Sequence, residues 1–273
     1  MILIFHKYHG SGNDFIIIDN RKSQFNPAPG NRQALIAAMC MRHTGIGADG
    51  LMLLEDHPES DFSMRYFNAD GNEGSMCGNG SRCIAAFAFH QGIFKGNEVI
   101  FTAYDGQHRA EIKEQQQYAF RVKVGLNDTR RATPLASSMY FVDTGSPHLV
   151  IFTRNIRKKN VFAEGREIRY SNSWSEKGVN VNFAELDTNG RLQVRTYERG
   201  VENETLSCGT GVTAAAIAAW EEFPEERKPA YIIHTKGGEL EVGFQAPGHD
   251  GETFSQVYLS GPAQFVYEGR IDY

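Results

Sequence analysis

The sequence predicts an α/β protein of two pseudo-symmetric domains, each a β-sheet wrapped around one central helix. Three observations predict it. The stretches Asn72-Glu73-Gly74-Ser75-Met76-Cys77-Gly78-Asn79-Gly80 and Asn203-Glu204-Thr205-Leu206-Ser207-Cys208-Gly209-Thr210-Gly211 share one pattern. Each is followed by a small, Ala-rich run of helical character, at Ile84–Phe89 and at Val212–Trp220. Strand-like segments flank both runs in the same order, and a helix that is apolar on most sides belongs inside a sheet.

In chain order, Ile2–Tyr8 and Phe15–Asp19 read as strands around the turn Gly10–Asp14, a hairpin that starts the fold. From Asn31 to Arg42 the residues Leu35, Ile36, Met39 and Cys40 recur at helical spacing, and Gly45-Ile46-Gly47 ends the segment. Strands follow at Leu51–Glu55 and Ser63–Asn68, then the first cysteine loop and its helix. Val99–Ala103, His108–Lys113 and Tyr118–Val124 supply further strands by alternation. The second half repeats the order: strands at Ser138–Asp143 and Leu149–Phe152, a polar loop, strands at Asn180–Glu185 and Leu192–Glu198, then the second cysteine loop and helix. Strands at Ala230–His234, Glu239–Phe244 and Gln256–Ser260 complete it. Placing Cys77 on Cys208 also places Tyr66 on Tyr197, Asn72 on Asn203 and Glu73 on Glu204. The polar stretch Leu126–Ser137 marks a boundary, and Gln264–Tyr267 reads as a last strand returning to the first domain. The expected domains are residues 1–125 with 264–273, and 126–263.

The chain has 273 residues, 41% of them hydrophobic, enough for two modest cores. Its net charge of −5 comes from interspersed acids and bases, with no basic stripe to neutralise phosphates, so nucleic acid is not an expected partner. A small polar substrate is. The apolar run at Met1–Phe5 is too short for a signal peptide and no stretch reaches the length of a membrane span, which predicts a cytoplasmic protein without a membrane partner. Four cysteines, Cys40, Cys77, Cys83 and Cys208, are too sparse for a disulfide framework.

A thiol placed just before a helix meets the positive end of the helix dipole and the open N–H groups of the first turn, and both favour its thiolate. Two such thiols make a matched acid and base. Inverting an amino-acid α-carbon without a cofactor needs a base on one face, an acid on the other, and stabilisation of the carboxylate as charge moves onto it. The thiols supply the first two, and the N–H groups after Cys77 (Gly78, Asn79) and Cys208 (Gly209, Thr210) can hold the carboxylate. Two thiolates at one small site repel, so the pair is expected to share one proton and titrate as a unit. Cys40, in an apolar helical stripe, and Cys83, at a helix position after Cys77, read as core residues. Gly45-Ile46-Gly47-Ala48-Asp49-Gly50 matches the dinucleotide fingerprint, but a helix precedes it and a strand follows, the reverse of what that motif requires. Gly78-Asn79-Gly80-Ser81-Arg82 lacks the ending of a phosphate loop, and no zinc spacing occurs, so no metal site is expected.

His9–Phe15, Arg42–Asp49, Phe67–Gly71, Met76–Cys83, Gly178–Asn180, Tyr197–Gly200 and Ser207–Gly211 together give the chain a resemblance to the diaminopimelate epimerase family over essentially its whole length. The resemblance implies a reversible, cofactor-free epimerisation of LL- to meso-2,6-diaminopimelate, serving lysine and peptidoglycan precursor supply, in a homodimer. It implies a site in the cleft between the two domains, with Cys77 and Cys208 as the acid–base pair. Asn13, Asn68, Asn180, Glu198 and Arg199 match substrate-binding positions, and Gly78, Asn79, Gly209 and Thr210 match the carboxylate-holding turns. The planar fork of Arg199 suits a carboxylate and Glu198 an ammonium group. His148, and also Glu198, match positions that tune the thiols. Three departures stand out: Gly50 where many members carry a substrate-contacting glutamine, Ser146 where they commonly carry asparagine, and one extra residue between Arg199 and Cys208. The alternative reading is a proline or hydroxyproline racemase or epimerase of the same fold, whose monocarboxylic substrate has no need of Glu198, Arg199 and the several asparagines.

Overall fold

The computed structural model describes residues 2–28, 30–74, 76–174, 176–248 and 251–272. The chain divides into two compact units, Met1–Val124 with Gly261–Tyr273, and Gly125–Ser260.

The first unit contains β1 (Ile2–Gly10), β2 (Asn13–Asp19), α1 (Arg32–Cys40), β3 (Gly50–Glu55), β4 (Phe62–Asn68), α2 (Gly78–His90), β5 (Glu98–Ala103), β6 (Gly106–Gln116) and β7 (Ala119–Gly125). Ser11 and Gly12 both take positive φ, 54° and 83°, which is what a two-residue turn between right-twisted strands requires. β2 pairs parallel with β3 and β4 parallel with β5, while β1–β2, β3–β4, β5–β6 and β6–β7 are antiparallel. Each parallel pair needs a crossover, and α1 and α2 provide them. The two helices lie on opposite faces. α2 packs with Phe15, Met52, Leu54, Phe62, Phe101 and Val122, whereas α1 packs with Leu3, Ile16, Ile18, Leu51, Leu53 and Phe67. Covered on both sides, β3 reads as a near-continuous apolar run rather than an alternating one. Every residue of α2 from Gly78 to Ala88 is buried, so its first turn lies in the core, and the helix begins six residues before the apolar run at Ile84.

The second unit contains β8 (Thr129–Arg130), β9 (Thr133–Ala136), β10 (Met139–Asp143), β11 (Pro147–Phe152), α3 (Val161–Arg169), β12 (Asn180–Leu186), β13 (Leu192–Glu198), β14 (Asn203–Thr205), α4 (Gly209–Glu222), β15 (Ala230–Thr235), β16 (Gly238–Gln245) and the start of β17 (Thr253–Asp272). Its pairing repeats the first unit: β10–β11 antiparallel, β11–β12 parallel, β12–β13 antiparallel, β13–β15 parallel, β15–β16 antiparallel. α4 occupies the place of α2, and α3 that of α1.

The structure departs from the sequence expectation at three places. The expected polar loop before Asn180 contains α3, capped by the Asn160 side chain, which accepts from Ala163 N. The separate strands at Gln256–Ser260 and Gln264–Tyr267 are one strand, β17. It pairs with β16 over Ser255–Ser260 and with β1 over Gln264–Asp272, so Pro262 falls at the handover between those two neighbours. Tyr66 is not the counterpart of Tyr197. Phe67 bridges Glu73 and Tyr197 bridges Glu204, while Arg65 and Arg195 ion-pair with those same glutamates. Phe67 therefore matches Tyr197, both buried on the outer-helix face, and residues 198–203 of the second unit replace 68–72 of the first with one residue more.

Candidate active site

Cys77 is the N-cap of α2 with φ −118° and ψ 114°, and Cys208 is the N-cap of α4 with φ −118° and ψ 112°. The duplicated sequence has become a duplicated geometry. Neither thiol caps its helix. Each sits at the end of a central helix whose first N–H groups have no partner within the helix, at the positive end of the dipole. Cys77 is half-buried and Cys208 is buried, 7% exposed.

In the first unit a hydrogen-bond chain leads to Cys77. Arg82 donates to Asn79 Oδ1 at 2.8 Å, Asn79 Nδ2 donates to Asn13 Oδ1 at 3.3 Å, and Asn13 Nδ2 donates to Asp49 Oδ2 at 2.7 Å. A guanidinium only donates and a carboxylate only accepts, so the two ends fix both amides in one orientation. Asn13 Oδ1 is thereby the group that faces Cys77 Sγ, at 3.8 Å. Arg82 is fully buried and also donates to Ser11 Oγ, Gly78 O and Pro262 O. Burial brings its pKa down to about 10, which leaves it charged at neutral pH. At the far end Asp14 is held below the usual carboxylate range: burial pushes it up, and Arg42 and Lys7 outweigh that through contacts at 2.6 and 2.7 Å. Asn68 ends β4 beside Gly74.

In the second unit Cys208 Sγ lies 3.5 Å from Thr210 Oγ1, and Thr144 Oγ1 donates to the Thr210 carbonyl. Asn180, opening β12, donates from Nδ2 to Ser146 Oγ at 3.0 Å and to Pro147 O, and its Oδ1 accepts from Arg199 N at 2.9 Å. The Arg199 side chain donates to Lys177 O. Glu198 is the last residue of β13, half-buried. One layer deeper, Asn182 donates to His148 Nδ1 at 3.1 Å and accepts from Thr196 Oγ1 at 2.8 Å. His148 is fully buried, which pushes its pKa down to about 3, with Arg199 adding to the shift. Its Nδ1 accepts, so Nε2 carries the proton, and Nε2 has no partner among the described residues.

Within the first unit the structure brings Cys77, Gly78, Asn79 and Asn13 together. Within the second it brings Cys208, Gly209 and Thr210 together, and Asn180 with Arg199. Sequence reasoning missed Arg82, Asp49, Asn182 and Thr196. Two signals were present: an arginine inside an apolar helix, and an asparagine inside the apolar run Val179–Phe183. Gly211 was also understated. A Cβ there would lie 2.4 Å from Asn182 Oδ1 and 3.2 Å from Cys208 Sγ, so only glycine fits between thiol and network. Cys40 and Cys83 are buried, and burial pushes both thiols up, Cys40 to about 12.

The family described as diaminopimelate epimerase matches residues 5–129 and 140–266. A diaminopimelate epimerase of Flavobacterium psychrophilum is 44% identical, over 97% of this chain and 99% of its own length. One of Aquifex aeolicus is 38% identical, over 98% and 97%. Among solved structures, a phenazine biosynthesis protein of the PhzF family from Bacillus anthracis superimposes with a TM-score of 0.76 over 100% of both chains at 14% identity. A hydroxyproline epimerase from Agrobacterium vitis gives 0.73 over 99% of this chain and 92% of its own, also at 14%. Those two show the fold alone.

Proposed function

The chain belongs to the diaminopimelate epimerase family, and we propose that Cys77 and Cys208 are the acid–base pair with which it interconverts LL- and meso-2,6-diaminopimelate. The enzyme is an isomerase. The observation that carries the assignment of the thiols is their matched placement, each the N-cap of a buried central helix at the same backbone angles within a few degrees. One thiolate removes the α-proton and the other thiol delivers a proton to the opposite face, so the configuration inverts and the two sulfurs exchange protonation states. As the proton leaves, negative charge moves onto the α-carboxylate, where the first-turn N–H groups of Gly78, Asn79, Gly209 and Thr210 act as donors. Asn13, Asn68, Asn180, Glu198 and Arg199 hold the polar groups of the substrate, and the reaction runs on protein groups without a cofactor. His148 and Glu198 influence the thiols. A role in lysine and peptidoglycan precursor supply, a cytoplasmic location and a homodimer follow from the same reading. Among the described residues no helix is long and apolar enough to cross a membrane.

Diaminopimelate is favoured over proline or hydroxyproline because full-length relatives at 44% and 38% identity carry the diaminopimelate name, whereas the hydroxyproline epimerase shares only the fold. The test is incubation with LL-diaminopimelate in deuterated water. It is expected to give the meso isomer with deuterium at one α-carbon, and Cys77→Ala and Cys208→Ala are each expected to abolish inversion. Inversion at an unchanged rate with either thiol removed refutes the two-base assignment.

A further inference from the structure

The registers of the two units match Gly50 with Asn180. Gly50 pairs with Phe15 on β2 and with Asn68 on β4, while Asn180 pairs with His148 on β11 and lies one step outside the Val181–Tyr197 pair. By the two-residue alternation of strands, residue 50 and Asn68 form one row with Phe15 on the face covered by α2, and Asn13 stands on that face one row further out, at the end where Cys77 occupies the N-cap position of the helix. In the second unit that row is His148, Asn180 and Glu198, with Ser146 one row further out. The middle position of the first row has no side chain of its own.

Tyr66 fills the gap. A Cβ on Gly50 would lie 2.5 Å from Tyr66 Cε2, 2.9 Å from its Oη and 2.6 Å from the Phe67 carbonyl oxygen. A Cβ on Gly74 would lie 2.7 Å from Cδ1 and Cε1 of the same ring and 3.1 Å from Asn68 Oδ1. The phenol therefore passes between two glycines and reaches up from the layer below into the row. Phe15, the β2 partner of Gly50, meets the ring edge-on at 6.1 Å and is fully buried, whereas Tyr66 is half-buried. In the second unit the place of Tyr66 is taken by Thr196, which is short and bonded downward to Asn182, and Asn180 keeps its amide. One unit thus has a small residue below and an amide in the row, and the other has a bare glycine in the row and a phenol rising through it.

We propose that Tyr66 is a substrate-contacting specificity residue, whose hydroxyl makes, beside Cys77, the polar contact that residue 50 cannot make. The proposal rests on the reading of Cys77 as a substrate-facing thiol. A phenol both donates and accepts, so it serves either the carboxylate or the ammonium group of an amino-acid substrate. Because the ring also occupies the volume over Gly50, any side chain introduced there meets the ring before it meets substrate.

The experiment compares wild type, Tyr66→Phe, Tyr66→Thr, Gly50→Ala and the Gly50→Ala/Tyr66→Thr double variant. It reads kcat and KM for LL-diaminopimelate, the melting temperature, and the diaminopimelate concentration that half-protects Cys77 from iodoacetamide, a binding measurement that needs no turnover. A hydrogen bond to a charged group is worth about tenfold in affinity, so Tyr66→Phe is expected to raise both KM and the protection midpoint about tenfold. Gly50→Ala is expected to cost more activity in the wild-type background than in the Tyr66→Thr background. An unchanged protection midpoint in Tyr66→Phe, with wild type protected, overturns this proposal and leaves the proposed function standing. Equal cost of Gly50→Ala in both backgrounds overturns the packing that underlies it. Wild-type Cys77 left unprotected by diaminopimelate overturns the substrate assignment itself, and this proposal with it.

Discussion

His148 is held neutral inside the second unit, which ties the stability of that unit to pH. Its ordinary pKa of 6.5 is pushed down to about 3, first by burial and then by Arg199. Between those two values the unfolded chain takes up a proton that the folded chain refuses, so stability falls as pH drops below the unfolded value and levels off below the folded one. The difference, 6.5 minus about 3, is roughly 3.5 units at about 1.4 kcal/mol each, or about 5 kcal/mol when complete, of which about 2 kcal/mol is lost between about pH 7.5 and pH 5. His148→Gln removes the titration while keeping an acceptor for Asn182 Nδ2. Both tryptophans, Trp174 and Trp220, lie in the second unit, so their fluorescence during urea unfolding reports on it. At about pH 7.5 the variant is expected to be less stable than wild type, and its deficit is expected to shrink by about 2 kcal/mol at about pH 5. Carboxylates and other histidines titrate in both proteins and cancel in the comparison. A deficit that is the same at both pH values refutes the assignment of a neutral, buried imidazole.

Further outcomes follow from the same geometry. Gly211→Ala places a methyl 2.4 Å from Asn182 Oδ1, and is expected to lower stability by about 1–3 kcal/mol as overpacking does and to slow turnover, read by thermal melting and epimerisation rate; unchanged values in both would show that the close approach is not real. Asn182→Leu leaves His148 Nδ1 and the Thr196 hydroxyl without their partner in a buried layer, with an expected loss of about 1–3 kcal/mol in urea unfolding. Under native conditions iodoacetamide is expected to label Cys77 well before Cys40 and Cys83, whose thiols are buried and shifted upward. Mass spectrometry that finds Cys40 or Cys83 labelled as fast as Cys77 contradicts that burial.

Much of the fold was legible because its signals are local. The hairpin of β1 and β2 follows from two apolar runs around Ser11-Gly12, and α2 and α4 follow from Ala-rich runs after a Cys-Gly pair. α3 was not legible from composition, since it buries only Val161 and Gly165 and leaves Phe162 exposed among charged residues. Its position was inferable from topology, because a parallel pair such as β11–β12 demands a crossover where β2–β3 has α1. β17 continues through Gly261-Pro262, a local breaker in sequence, because its partner changes there from β16 to β1.

The duplication, the two thiols at helix starts and the polar residues that accompany them can be read along the chain alone, because each rests on short-range pattern and on chemistry that a residue carries wherever it sits. How the copies differ emerges from strand pairing. Strand register moved the match of Tyr197 from Tyr66 to Phe67, and that one-residue step separates the two faces of a strand. It placed a polar layer of His148, Asn182 and Thr196 in one unit where Phe15, Met52 and Tyr66 stand in the other. It also set the phenol of Tyr66 over a bare Gly50. Such differences arise from which side chains meet across paired strands, and those pairings join residues far apart in the chain whose local sequence carries no record of their partners.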